Sequence, residues 1–283
     1  MERLEEIKKL LLIFMDILGE GFCELLELKP GTYRSQKSKI LHTKDFEIIK
    51  EFLQTVETQI QKLAKTQLII EDNEIHCRDT GADKLLVPFL FLDEYIHLLH
   101  IMVYQEIARS DTIEVVLNAC LCCCDSQDNT FIKESYIIKK HFLNEKYMES
   151  ICRNFRDEYY SVCRDVINNR KKGSSFFEWP IRNLTETIEI DDWCDGTVNE
   201  RTIERMKTET GSRRWATIKD LISIEACDRF TNDQEKLKEY EIFQARLLMA
   251  YLLENFVNSK TLQKEYNKKY LYELLDKGLH YKS

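Results

Sequence analysis

Apolar residues recur along this chain at alternating steps of three and four, the spacing of helices that turn one face to a core. Leu4, Ile7, Leu11, Phe14 and Leu18 set the spacing first and predict a helix over residues 2–18, with Gly19 and Gly21 allowing a break or kink after it. Another turn or two is expected over 22–28, before Pro30 and Gly31. Phe46, Ile49, Phe52, Leu53, Val56 and Ile60 predict a second long helix over 45–64. The helical period lapses at 67–77, where Leu68, Ile69 and Ile70 lead into the polar stretch Glu71 to Glu74 and Ile75 follows, so a short β-hairpin is expected there.

Pro88 opens the next helix in its first turn, where a missing N–H costs nothing. That helix, over 89–109, is apolar on nearly every side through Leu90, Phe91, Leu92, Ile96, Leu98, Leu99, Ile101 and Met102, which predicts a central, buried element. Asp111 with Glu114 reads as a capping box for a helix ending near residue 124. Helices over 130–142 and 145–169 follow, the second with Met148, Cys152, Phe155, Tyr159, Val162 and Val166 in the four-three spacing of a packing seam. Residues 170–199 break the pattern with Gly173, Pro180, Gly196 and an alternating stretch at 187–190, and an irregular insertion is expected. Thr197 with Glu200, and Thr231 with Gln234, read as capping boxes, and helices over 234–258 and 261–275 close the chain. The pattern predicts an all-α fold, a multi-helix bundle of about nine to eleven helices with one short hairpin and one irregular insertion. A soft boundary at 79–84 divides an N-terminal helical segment, 1–84, from a main helical domain, 85–283, or falls within a single domain.

Composition narrows the functions more than the fold. Eight glycines and three prolines stand where average usage would place about 34 such residues. Phosphate-cradling loops, nucleophile elbows and dinucleotide fingerprints are built from glycine, and none is found, so a non-enzymatic protein is expected. The net charge of -8 is uneven: residues 1–140 hold 17 basic and 24 acidic side chains, the remainder 24 and 25. Any contact with a polyanion must therefore be local. Cys120, Cys122, Cys123 and Cys124 crowd one apolar run, and adjacent helical cysteines do not bridge one another. Reduced thiols and an intracellular chain, in cytoplasm or nucleus, follow as expectations. Lys8 and Lys9 before an apolar stretch imitate a signal peptide, but Glu2, Glu5 and Glu6 precede them and Asp16 interrupts the stretch. No apolar run approaches the ~18 residues of a membrane span, and no membrane partner is expected.

Three constellations carry candidate chemistry. The 170–199 segment concentrates Phe176, Phe177, Trp179 and Trp193 among acidic residues, which combines apolar anchors with a polar rim, as protein interfaces do. The competing use of these rings is to fold back onto the helical core. A helical adaptor or complex subunit that binds a protein partner is accordingly the leading reading. The second is a nucleic-acid-associated protein, with an RNA-binding segment at 201–219: Arg170, Lys171 and Lys172 precede the insertion, Arg201, Arg205, Arg213 and Arg214 follow it, and Trp215 is placed to stack a base. The bland alternative is a solvated helix face neutralised by nearby carboxylates. The third is zinc binding, with no cofactor expected otherwise. Antiparallel helices would bring His97 and His100 level with Cys120 and Cys123, a ligand set suited to tetrahedral Zn²⁺, although buried cysteine and histidine also serve as ordinary packing.

Overall fold

The computed structural model describes residues 2–25, 30–71, 74–77, 162, 164–193, 198–209 and 215–278. Helix α1, Glu2–Leu25, is the first element, and α2, Pro30–His42, follows it. Pro30 does not stop a helix but starts one, because the first turn needs no N–H from it. Helix α3, Phe46–Gln67, extends the expected second long helix by a turn, and Asp45 caps it by accepting from the Glu47 N–H at 3.0 Å. Beyond it the backbone pairs β1, Leu68–Glu71, with β2, Glu74–Cys77, antiparallel with Leu68 opposite Cys77. An isolated pair of four-residue strands is marginal by itself, and the hairpin expected over 67–77 is not supported as part of this fold. The fold is all-α.

The 170–199 segment carries two helices among its described residues, which corrects the expected irregular insertion. Helix α4, Glu178–Thr187, and the single turn α5, Ile190–Trp193, occupy it. Pro180 sits in the first turn of α4, where its missing donor breaks no bond, and Gly173 at φ 86° turns the chain into that helix. Helix α6, Glu200–Thr208, is capped by Asn199, whose side chain accepts from the Thr202 N–H at 2.9 Å, so the cap lies two residues beyond the expected Thr197. Short helices α7, Trp215–Leu221, and α8, Ile224–Asp228, lead to α9, Gln234–Val257. Its cap is Asp233, accepting from the Lys236 N–H at 3.1 Å; Thr231 offers only its carbonyl to the Gln234 side chain. A 3-10 turn, Leu262–Lys264, and α10, Lys268–Gly278, replace the single last helix expected over 261–275.

Among the described residues α9 is the axis of the core. Leu247, Leu248, Met249, Ala250, Tyr251, Leu252 and Leu253 are all buried, so no face of this stretch meets water. That central place was expected of residues 89–109, which lie outside the described residues, as does the boundary at 79–84. Helix α1 also departs from its expected single stripe. Leu10, Leu11, Leu12, Ile13, Phe14 and Met15 are buried in succession because α2 flanks it on one side and α9 on another. Ile7 of α1, Ile181 of α4, Ile218 of α7 and Leu275 of α10 belong to the same continuous core.

Candidate functional site

A core this apolar has to find partners for most of the polar groups it buries, and those partners locate the molecule's fixed points. Asp16, on α1, is the first. Its carboxylate takes an ion pair from Lys37 of α2, and Oδ2 accepts from Ser259 Oγ at 2.9 Å, from the Thr261 N–H at 3.1 Å and from Thr261 Oγ1 at 2.8 Å. Burial alone would raise its pKa. The hydrogen bonds and the Lys37 charge outweigh that and hold it below the ordinary carboxylate value. One residue further on, the Ile17 carbonyl accepts from Asn255 Nδ2 at 3.1 Å, beside the kink in α1 at Gly19. Asp16 and Ile17 therefore tie the first two helices to the end of α9.

The second fixed point joins α9 to α4. Arg246 donates from one terminal nitrogen to Asp165 Oδ2 and from the other to Asn183 Oδ1, both at 2.9 Å, and its guanidinium lies 4.4 Å from the Trp179 ring centroid. The planar fork of arginine serves two acceptors and a ring at once. Trp179 is half-buried at the edge of the core, on the side of α4 where Arg182 and Asn183 are also half-buried and Glu186 is exposed, while Pro180, Ile181 and Leu184 fill the opposite side. Glu178 pairs with Lys171 at 3.2 Å and with Arg182 at 3.0 Å. Burial pushes its pKa up, and hydrogen bonds from Ser174 and Lys171, with the charges of Arg182 and Lys171, bring it below its ordinary value.

A third cluster closes α10 onto the body. The Arg170 guanidinium lies 4.9 Å from the Phe176 ring and 4.6 Å from that of Tyr272, and the two rings stack at 5.6 Å. Glu254, 1 % exposed, accepts from the Phe176 N–H at 3.2 Å. Burial and the Glu254 charge raise the Tyr272 phenol pKa well above its ordinary value, against the opposing pull of Arg170.

These positions redistribute the expected site residues. Phe176 and Phe177 are wholly buried, so they are core residues and not exposed anchors. Trp179 alone of that set keeps a described outward side; Trp193 ends α5, and its side chain is not among those described. The basic constellation is not brought together. Trp215 is a core residue tilted against Tyr251 at 5.2 Å and is not offered to a base. Arg205 pairs with Glu209 at 3.2 Å and Lys207 with Glu204 at 2.6 Å, the neutralised helix face that i, i+4 and i, i+3 spacing allows. Arg170 stacks on aromatic rings, Lys171 binds Glu178, and Lys172 and Arg201 stay exposed. Arg213, Arg214, His97, His100, Cys120 and Cys123 lie outside the described residues. Among the described residues no group of three or more histidine, cysteine or carboxylate side chains is placed to hold a metal, and no helix is long and apolar enough to cross a membrane.

Sequence reasoning missed Arg246, Asp165 and Asn183, which meet across 63 and 81 positions of the chain. The available signal was one arginine entering the apolar run of α9. No protein-family model, curated protein or solved structure matches this chain.

Proposed function

We propose that this chain is a non-enzymatic helical adaptor or subunit of a larger assembly, acting inside the cell, and that it meets a protein partner on the Trp179 side of α4. The observation that carries the reading is the immobilised pair of Trp179 and Arg246. Tryptophan and arginine dominate interface hot spots, and a hot-spot residue binds best when its ordering cost is met before the partner arrives. Here Asp165 and Asn183 hold the arginine, the arginine holds the ring, and Lys171, Arg182 and Glu186 supply a charged rim. The described polar groups of the core favour the same reading, since Asp16, Glu254 and Arg246 join one helix to another or to a neighbouring turn.

Site-specific photocrosslinking in the source cells tests it. A benzophenone amino acid replacing Arg182, beside Trp179, is expected to trap one protein at near-stoichiometric yield, while the same probe at Arg201 on α6 traps none. Equal yields at both positions, or no discrete adduct at 182, would overturn the assignment.

A further inference from the structure

The described contacts that hold α10 to the body are few, and one of them is mismatched. Asp16 fixes the chain as far as Thr261, Leu262 is buried in the 3-10 turn, and Lys9 of α1 pairs with Glu265. Beyond that point exposed Asn267 leads into α10, its side chain accepting from the Tyr270 N–H at 2.9 Å. Among the described side chains of α10, Leu271 and Leu275 are buried, whereas α9 is buried on every side from Leu247 to Leu253. Tyr272 supplies the remaining anchor. Its ring stacks on Phe176 at 5.6 Å and lies 4.6 Å from the Arg170 guanidinium. Its hydroxyl, by contrast, is buried with no hydrogen-bond partner among the described residues, in the field of the Glu254 carboxylate. The seat therefore fits the ring and not the oxygen. A buried, unsatisfied hydroxyl cancels part of what the ring gains on docking, and undocking returns it to water.

We infer that α10 is a strap, released as one unit at Asn267 while α1 and α9 stay folded, with Tyr272 as the displaceable occupant of the seat formed by Phe176, Arg170 and Glu254. Elements that open separately are those with few buried apolar contacts and a connection that can turn, and α10 has both among the described residues. The fixed point at Asp16 sets the limit of the movement, because Ser259 and Thr261 stay bonded to α1 when α10 leaves. Release bares a ring face with a cation and a carboxylate beside it. The strap does not depend on the Trp179 edge.

Hydrogen exchange of the full chain under native conditions, with urea added in steps, tests the inference. Amides 272–277 of α10 are expected to share one opening constant, about a hundredfold or more above that of amides 247–253 in α9. That constant should respond weakly to urea, because releasing one helix exposes little surface. Tyr272→Phe keeps the stacked ring and removes the unpaired oxygen, so the shared opening becomes about tenfold rarer. Opening constants that climb steadily toward Gly278, as in fraying of a helix end, would overturn the strap, and so would exchange of 272–277 together with α9. An unchanged or more frequent opening in Tyr272→Phe would overturn the mismatched seat.

Discussion

Replacing Gly19 by alanine perturbs the point where α1 bends over α9. Gly19 has φ 61° and ψ −173°, a region essentially reserved for glycine, and forcing another residue there costs about 1–3 kcal/mol. A methyl group at this position would stand 2.7 Å from the Tyr251 hydroxyl, nearer than a Cβ tolerates. Tyr251 is 3 % exposed and packs against Trp215, so the ring has little room to yield. Strain and overlap together destabilise by about 3 kcal/mol, with overpacking alone accounting for about 1 kcal/mol or more. Urea unfolding monitored by circular dichroism reads this as a lower midpoint at unchanged slope. Tyr251→Phe removes the oxygen but not the backbone strain, so Gly19→Ala is expected to cost about 1 kcal/mol less in that background. A cost below about 0.5 kcal/mol would refute the strained kink, and equal costs in the two backgrounds would refute the contact.

Three further outcomes follow from the fixed points. Asp16→Asn is expected to cost about 2 kcal/mol at pH 7, because Lys37, Ser259 and Thr261 lose a charged acceptor. The native pKa of Asp16 lies below the ordinary 3.8, so its stabilisation is complete above that value and is lost as pH falls through the native one. Urea midpoints between pH 6 and 2.5 should accordingly fall less steeply for Asp16→Asn than for the natural chain. Arg246→Lys keeps the charge but not the fork, and a loss of about 2 kcal/mol is expected in the same assay, against none if the Asp165 and Asn183 bonds are incidental. The Tyr272 hydroxyl is buried with no hydrogen-bond partner among the described residues, so Tyr272→Phe is expected to be neutral or stabilising at pH 7. Because burial raises its pKa above the ordinary 10, ionisation leaves stability unchanged well below pH 10 and lowers it as pH climbs past that value, so the natural chain should lose more stability than Tyr272→Phe between pH 9 and 11.

Helix α3 was legible because periodicity and core burial coincide there: Ile49, Phe52, Leu53 and Val56 are both the expected stripe and the observed core. Helix α2 was invisible because Ile40 is its one described apolar anchor, so no stripe marks it. The 170–199 segment misled for a different reason. Glycine and proline break a helix only in its interior, whereas Gly173 precedes α4 and Pro180 fits its first turn. Phe176 and Phe177 looked like interface anchors since composition cannot distinguish an outward ring from one folded back. Arg170, six residues before Phe176, joins Tyr272 from the far end of the chain, and a contact of that separation leaves no local pattern.

Native-state hydrogen exchange tests most directly the claim that the described helices share one core ordered around α9. Amides of residues 10–17 in α1 and 247–257 in α9 should exchange through the same global opening, with free energies agreeing within about 1 kcal/mol and falling in parallel as urea rises. Exchange of 10–17 through a separate opening, several kcal/mol easier than that of α9, would mean that Asp16, Ile17 and Gly19 do not bind the N-terminal helices to it, and the account would fail.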